Sequence, residues 1–534
     1  MNPGARAASG AWRGSLKNRP RAVRFYGPLR DKEERLKAMT QRPDNARATE
    51  PNGAPENAHN LHTVEKIGGT SMSRARELLD TILIGNRSGD DLYQRVFVVS
   101  AFGGITDKLL EHKKSGEPGV YGLFAHADND HGWMDALSDV SRAMREINAG
   151  MFDDAGDRHA ADDFVRERIE GARGCLIDLQ RLCSYGHFQL VEHMLTIREM
   201  LSALGEAHSA NNLAILLRRH NVNARFVDLT GWRDESQPDL EERIKAAFAE
   251  VDLERELPIV TGYAQCREGL MREFDRGYSE VTFATIAALT GAREAVIHKE
   301  FHLSTADPRL VGAENVRKIG RTNYDVADQL SNMGMEAIHP KAAKTLRQAG
   351  VPLRVANAFE PHDSGTLIDA DPAGDPGVQM VTGLPVTTLE LFEQDMVGVK
   401  GYDAAILDVL TRHRVRIVSK ASNANTIVHH VEAPLKSIRR VERDLAERYP
   451  SARVTTRRAG MVSAIGRDIK GMGIMLKGLN ALAEAGIEPI SSQETGRGVD
   501  VQFIVAGEDR EAAVKTLHRA FIEATENPQL AEAA

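Results

Sequence analysis

Thr63-Val64-Glu65-Lys66-Ile67-Gly68-Gly69-Thr70-Ser71-Met72 runs from a short apolar strand into a glycine pair and two hydroxyls, and the helical pattern Arg74-Ala75-Arg76-Glu77-Leu78-Leu79 follows. Glycines let backbone N–H groups come close to a phosphate, and the start of a helix favours negative charge. A lysine at the end of the strand then acts as a point charge on a transferring phosphoryl group. Strand, glycine turn, lysine and helix together describe a phosphate cradle. A lone Gly-Gly before a helix is equally an ordinary tight turn, so the reading needs support from elsewhere in the chain.

A second turn of the same kind supplies it. Arg95-Val96-Phe97-Val98-Val99-Ser100 reads as a strand, and Ala101-Phe102-Gly103-Gly104-Ile105-Thr106-Asp107 carries it through two glycines into another helix. Ser100 and Thr106 are placed either to touch a ligand or simply to cap that helix. Further strands are expected at Ala224–Asp228, Pro258–Thr261 and Ala295–His298, with long helical stretches such as Leu201–Arg219 between them. Continuous β-branched runs alternating with helices imply a mainly parallel sheet buried on both faces, with ligands at the carboxyl ends of its strands.

After the Gly- and Pro-bearing stretch Asp369–Gly377 the rhythm changes. Val386–Leu391 (strand), Tyr402–Arg412 (helix), Val415–Ser419 and Thr426–Val431 (strands) and Leu435–Arg448 (helix) lead to the extended Arg453–Thr456. The order recurs in Met461–Ile465, Gly473–Ala485, Ile487–Ser491, Val499–Val505 and Glu511–Ile522. Two copies of β-α-β-β-α make an internal repeat of about seventy residues, each a split βαβ unit on a small antiparallel sheet.

The 534-residue chain is long enough for several cores. Its net charge of -8 argues against a general nucleic-acid binder, which needs a basic face. No apolar run approaches the roughly twenty residues needed to cross a bilayer. Cys175, Cys183 and Cys266 are too few and too scattered for a disulfide frame or a zinc site and fit reduced thiols in the cytoplasm. Residues 1–61 differ from the rest: before Asp31 the segment holds several Arg and Lys and no acid. It has no apolar h-region, and reads as a disordered extension, an over-extended start or an Arg-rich leader.

Four more positions offer chemistry, each beside a blander alternative. Glu206, in Leu204-Gly205-Glu206-Ala207-His208, is able to hold an ammonium group or is a solvated first-turn acid. Arg276, in Glu273-Phe274-Asp275-Arg276-Gly277-Tyr278-Ser279-Glu280, has the planar fork that suits a carboxylate. Glu280, in the first turn of the next helix, is placed to pair with an active-site lysine. Arg309, closing Ser304-Thr305-Ala306-Asp307-Pro308-Arg309, is a phosphate ligand or a surface charge.

Taken as a set, these motifs resemble the aspartate kinases. Lys66–Ser71 is similar to their KFGGTS signature, and Val98-Val99-Ser100-Ala101 to their second phosphate-side turn. Thr305–Arg309, Gly334, Ile338-His339-Pro340 and Gly365-Thr366-Leu367-Ile368 fall in the family's order, and the two C-terminal repeats resemble its paired ACT regulatory domains. Lys66–Met72, Asp275–Glu280, His298–Leu303, Cys183–Leu190 and Ile319–Pro340 resemble the branch that accompanies ectoine biosynthesis. The resemblance implies an amino-acid-kinase αβα sandwich with a mainly parallel sheet over 62–370, then two ferredoxin-like βαββαβ domains at 380–458 and 459–526 and a tail at 527–534.

It also implies roles. Lys66 and Glu280 would be catalytic; Lys66, Gly68, Gly69, Ser304, Asp307 and Arg309 would bind ATP; Ser100, Thr106, Glu206, Arg276 and Ser279 would bind L-aspartate. Mg²⁺ would accompany ATP, with no metal ligand from the protein's side chains. Three departures stand out: Glu280 replaces the family's usual aspartate, Lys299–Ser304 is one residue short, and Glu336 stands where a lysine is usual. Val415–Val418 lacks the usual effector-binding acid, which points to weak or altered feedback by lysine. The implied reaction is attack of the aspartate β-carboxylate on the γ-phosphorus of MgATP, in a homodimer or larger homo-oligomer joined through ACT domains, without nucleic acid or membrane. The competing readings are a glutamate or N-acetylglutamate kinase and a non-catalytic ACT-based sensor. A fused homoserine dehydrogenase is not expected after the second repeat.

Overall fold

The structure is a computed structural model that describes residues 62–113, 115–126, 131–274, 277–335, 338–370 and 375–524. The expected extension 1–61 and tail 527–534 lie outside the described residues, as do Asp275, Arg276 and Glu336.

Eight strands build the first sheet: β1 (Thr63–Ile67), β2 (Arg95–Val99), β3 (Ala224–Val227), β4 (Leu257–Thr261), β5 (Glu294–Lys299), β6 (Arg321–Asn323), β7 (Leu353–Asn357) and β8 (Thr366–Asp369). Their order is β3-β4-β2-β1-β5-β7-β8-β6. Every pairing is parallel except β7 with β8. All residues of β1, β2 and β4 are buried, as strands covered on both faces require.

The helices that shape the site are α1 (Gly69–Met72), α2 (Ile105–Leu109), α3 (His131–Met151), α4 (Ala155–Cys183), α5 (Leu190–Arg219), α6 (Tyr278–Thr290), α7 (Pro308–Val311), α8 (Tyr324–Asn332) and α9 (Pro340–Ala349). Helix α5 begins eleven residues before the start expected at Leu201, because Leu190–Met200 continues the same helical run. One core joins strands and helices, including Val64, Ile67, Phe97, Leu204, Leu213, Phe283 and Ile297.

The second sheet holds β9 (Gly377–Phe392), β10 (Arg416–Ser422), β11 (Thr426–Glu432), β12 (Arg453–Arg467), β13 (Ser491–Glu494) and β14 (Asp500–Ala506) in the order β10-β11-β9-β12-β14-β13, all antiparallel. It is flanked by α10 (Tyr402–Arg412), α11 (Leu435–Arg448), α12 (Ile474–Glu484) and α13 (Arg510–His518). The two repeats share this one sheet. Strands β9 and β12 pair along their whole lengths, from Arg453 beside Phe392 to Arg467 beside Gly377. The later half of β9 pairs with β11 in the first unit. Its earlier half lies under α13, where Gly383 faces Val514, and so completes the second unit. Arg453–Thr456 and Met461–Ile465, separate in the sequence reading, are two stretches of β12. Beneath α12, a Cβ on Gly478 would stand 2.3 Å from the Phe503 ring, which requires glycine there.

The two sheets meet at the loop before α7. Thr305 accepts the Val381 N–H through its carbonyl at 2.9 Å, and its hydroxyl lies 3.0 Å from His518 Nε2.

Candidate active site

Lys66 is the penultimate residue of β1, which runs between β2 and β5 in the middle of the sheet. Side chains alternate along a strand, so Lys66 points away from the face that carries Glu65. Its ammonium lies 3.6 Å from Glu280 Oε1, and both side chains are nearly buried. Glu280 sits in the first turn of α6, where the helix dipole favours a carboxylate. Its other oxygen, Oε2, accepts the backbone N–H of His339, the residue that caps α9. The expected lysine–glutamate pair is therefore present, and Glu280 is fixed from two sides. Gly277 turns the chain into α6 with φ of 75°; a Cβ there would lie 2.6 Å from the His339 ring.

The two glycine turns pack against each other. A Cβ on Gly69 would stand 2.7 Å from the Ala101 carbonyl oxygen, and one on Gly103 would stand 2.9 Å from Ser73 Oγ. Gly103 donates its N–H to Ser73 Oγ at 2.9 Å. Gly104, with φ of 83°, is the cap residue of α2. Neither Ser100 nor Thr106 caps that helix, so the capping reading is set aside for both; Ser100 lies just past the end of β2 and Thr106 is half-buried in the first turn of α2. Ser71 donates to Glu300 Oε1 at 2.6 Å, tying the first turn to the loop after β5.

Glu206 departs furthest from its bland reading. It lies in the middle of α5, is 2 % exposed, and is not a solvated first-turn acid. Burial pushes its carboxyl up to about 8; Lys66, the Tyr263 and Ala101 backbones and the Tyr278 side chain pull the other way. Its Oε2 has no hydrogen bond of ordinary geometry among the described residues. Gly262, just past β4, makes room: a Cβ there would come within 2.5 Å of Ser279 Cβ and 3.0 Å of Glu206 Oε2. Ser279 in turn lies 3.3 Å, hydroxyl to hydroxyl, from Ser100. Lys66, Glu280, Glu206, Ser279, Ser100 and the two glycine turns thus gather at the carboxyl ends of β1, β2 and β4. Arg276 lies outside the described residues.

Ser304, Asp307 and Arg309 are elsewhere in the bonding pattern. Ser304 donates to the Ala306 carbonyl at 2.9 Å, and Asp307 caps α7 by accepting the Arg309 N–H at 2.9 Å. The Arg309 guanidinium, 88 % exposed, closes on Asp307 at 2.7 Å. Among the described residues no hydrogen bond or ion pair joins these three to Lys66. Sequence reasoning missed His339, Gly262 and Tyr278 as site residues. The legible signals were His339-Pro340 at a helix start and Thr261-Gly262 at a strand's carboxyl end.

Comparison with known proteins decides the family. The amino acid kinase family model matches residues 62–357. The chain is 55% identical over 465 residues, 87% of its length and 98% of the relative's, to aspartate kinase Ask_Ect of Stutzerimonas stutzeri. The chain belongs to the aspartate kinases. Aspartokinase 3, chloroplastic, of Arabidopsis thaliana is 25% identical over 87% of this aspartate kinase and 82% of its own length. In fold, this aspartate kinase is similar to E. coli aspartokinase III solved in complex with aspartate and ADP, with a TM-score of 0.62 at 20% identity over 86% of this chain and 99% of that one. The ectoine-linked branch indicated by the sequence agrees with the Stutzerimonas stutzeri relative. No helix among the described residues is long and apolar enough to cross a membrane.

Proposed function

We propose that the chain transfers the γ-phosphoryl group of ATP to the β-carboxylate of L-aspartate, giving 4-phospho-L-aspartate and ADP, a first step toward aspartate-family amino acids and ectoine. The observation that carries this reading is the meeting of Lys66, Glu280 and Glu206 beside two abutting glycine turns.

A β-carboxylate is already ionised near pH 7, so it needs no general base. The work left is to position two anions in line and neutralise the charge that develops between them. Lys66 supplies positive charge at the transferred group, and Glu280 holds it in place through the ion pair and the His339 N–H. Backbone N–H groups at Gly68, Gly69 and Gly104 line the phosphate side, while that of Gly103 is taken by Ser73 Oγ. Glu206 takes the substrate ammonium, which supplies the partner its Oε2 lacks and draws its carboxyl back toward ionisation. Ser100, Thr106 and Ser279 hold the substrate by their hydroxyls, and Arg276 clamps its α-carboxylate. Ser304, Asp307 and Arg309 serve the nucleotide side. Mg²⁺ keeps several waters and binds through nucleotide phosphates. It would arrive as MgATP, while the site's carboxylates, Glu280 and Glu206, are committed to Lys66 and the ammonium.

We read 62–370 as the catalytic domain and the six-stranded sheet as a pair of ACT domains that join chains in the cytoplasm and bind an amino acid. An ADP-release assay with L-aspartate, L-glutamate and N-acetyl-L-glutamate, with hydroxylamine trapping of the acyl phosphate, tests the reaction. Turnover and trapped hydroxamate with L-aspartate alone support it. ADP release confined to either glutamate substrate, or none at all, contradicts it.

A further inference from the structure

Glu199 lies about two turns before Glu206 on α5, so the two carboxyl groups project from the same face of that helix. Glu206 faces the substrate ammonium in the proposed reaction. Glu199 faces the chain instead, and its carboxyl group accepts three hydrogen bonds. Oε2 takes the Tyr263 hydroxyl at 2.7 Å, and Oε1 takes the N–H groups of Met271 at 2.7 Å and Arg272 at 3.0 Å. Those two amides belong to a single helical turn, Leu270–Glu273, entered through Gly269 with φ of 76°. A Cβ on Gly269 would stand 2.9 Å from Glu199 Oε1, so the turn closes tightly around the acid. In sequence the anchored stretch leads directly into the segment from Arg276 to Glu280.

Two tyrosines carry the link to the substrate. Tyr263 and Tyr278 are both buried, and their rings meet edge to face with centroids 6.0 Å apart. Burial raises the Tyr278 hydroxyl, and the nearby charges of Glu206 and Glu199 add to that, so it stays protonated and donates to Glu206. A phenol has one hydrogen to give. That of Tyr278 goes to Glu206, and that of Tyr263 goes to Glu199. Two acids on one helix face therefore each hold one of two touching phenols. Lys66 and Glu280 stand outside this arrangement, because Glu280 is fixed by the His339 N–H.

We propose that Glu199 is a positioning residue for the amino-acid substrate: by holding Tyr263 and the Gly269–Glu273 turn it fixes Tyr278 against Glu206, and so sets the affinity for L-aspartate rather than the rate of phosphoryl transfer. The role rests on the aspartate kinase reaction proposed above and acts only on the substrate side of the site.

Steady-state kinetics of Glu199→Gln, with L-aspartate and ATP varied in turn and thermal melting as the folding check, tests it. A carboxamide keeps the shape but offers one acceptor oxygen in place of two. The expected result is an aspartate KM raised at least tenfold, with kcat and the ATP KM within about twofold of wild type. A merely structural loss would lower the folded fraction, and with it kcat, while leaving the aspartate KM unchanged; that result overturns the role. Tyr263→Phe removes only a hydroxyl and carries the test where Glu199→Gln does not fold. Its aspartate KM should rise at least threefold, and an unaltered value overturns the role as well. Wild-type protein that does not turn over L-aspartate defeats the reaction itself and this role with it, whereas wild-type turnover with unshifted KM in the variants defeats the positioning role alone.

Discussion

Lys66 Nζ lies 3.6 Å from Glu280 Oε1 across the junction of β1 and α6, with both side chains about nine-tenths buried. A buried ion pair contributes little net stability, because desolvation offsets the attraction. Its value here is geometric. Glu280 is itself held by the His339 N–H, so the lysine is aimed by two elements that are distant in sequence. In Glu280→Gln the lysine loses its charged anchor, and kcat should fall roughly a hundredfold, as for a comparable misplacement of a reacting group. Glu280→Asp should retain most activity. Steady-state kinetics on both variants check this; equal losses in the two would argue against an aiming role.

Glu206 gives a pH signature. In the free enzyme its carboxyl is pushed up to about 8 by burial, so at lower pH the ammonium of aspartate must displace a proton. The kcat/KM for aspartate should therefore climb as pH rises toward about 8, and Glu206→Gln should lose that limb while raising the aspartate KM. Stability runs the other way. The folded state holds a proton that the unfolded state releases near pH 4.5, so this group's contribution is present below that pH and is lost as pH rises to about 8. Glu206→Gln should raise the melting temperature at pH 8 more than at pH 5. A variant with an unchanged KM and a pH-independent Tm difference would remove Glu206 from the substrate.

Gly262 is the tightest point of the site. A methyl group there would meet Ser279 Cβ at 2.5 Å and both Glu206 Oε2 and the Val99 carbonyl at 3.0 Å. Gly262→Ala should cut kcat/KM at least tenfold through displacement of Ser279 and Glu206, with a smaller effect on unfolding by urea. Kinetics and a denaturation curve separate the two effects. Wild-type kinetics would mean that Ser279 and Glu206 move aside without consequence.

Arg276 carries the expected carboxylate clamp on sequence grounds. Arg276→Lys keeps the charge but loses the bidentate fork, so the aspartate KM should rise with kcat nearly preserved. An unaltered KM would count against the clamp.

On the opposite face, Glu65 and Arg95 form a buried pair whose loss leaves an uncompensated charge. Arg95→Met alone should destabilise the fold by about 3–5 kcal/mol, and the double change Glu65→Leu/Arg95→Met should recover much of it. Because the Glu65 carboxyl is held well below its ordinary value of 4.5, its stabilising contribution is present above that pH and declines in acid. Urea titrations at pH 7 and pH 4 would show the gap between wild type and Arg95→Met narrowing in acid. A constant gap would mean the pair is not ionised as described.

Much of this was legible from residue patterns. The strand–glycine–helix units at Lys66 and Ser100 read directly, because close approach of backbone requires glycine and leaves a short-range trace. The burial of Glu206 was not legible, since the start of α5 at Leu190 lies well before the apolar run that marked it. Nor was the His339–Glu280 bond, which joins residues 59 positions apart through a backbone N–H that any non-proline residue carries. The sharing of β9 and β12 by both repeats was hidden by Arg457 and Arg458, which break the apolar pattern of one continuous strand. Non-local pairing leaves the weakest imprint on local sequence.

The most direct test of the account is single-turnover phosphoryl transfer by Lys66→Met, with ATP and L-aspartate saturating and folding confirmed by an unchanged melting temperature. The account predicts a rate lower by about two to three orders of magnitude, the usual loss when one preorganised charge-stabilising donor is removed. A rate within threefold of wild type would contradict it.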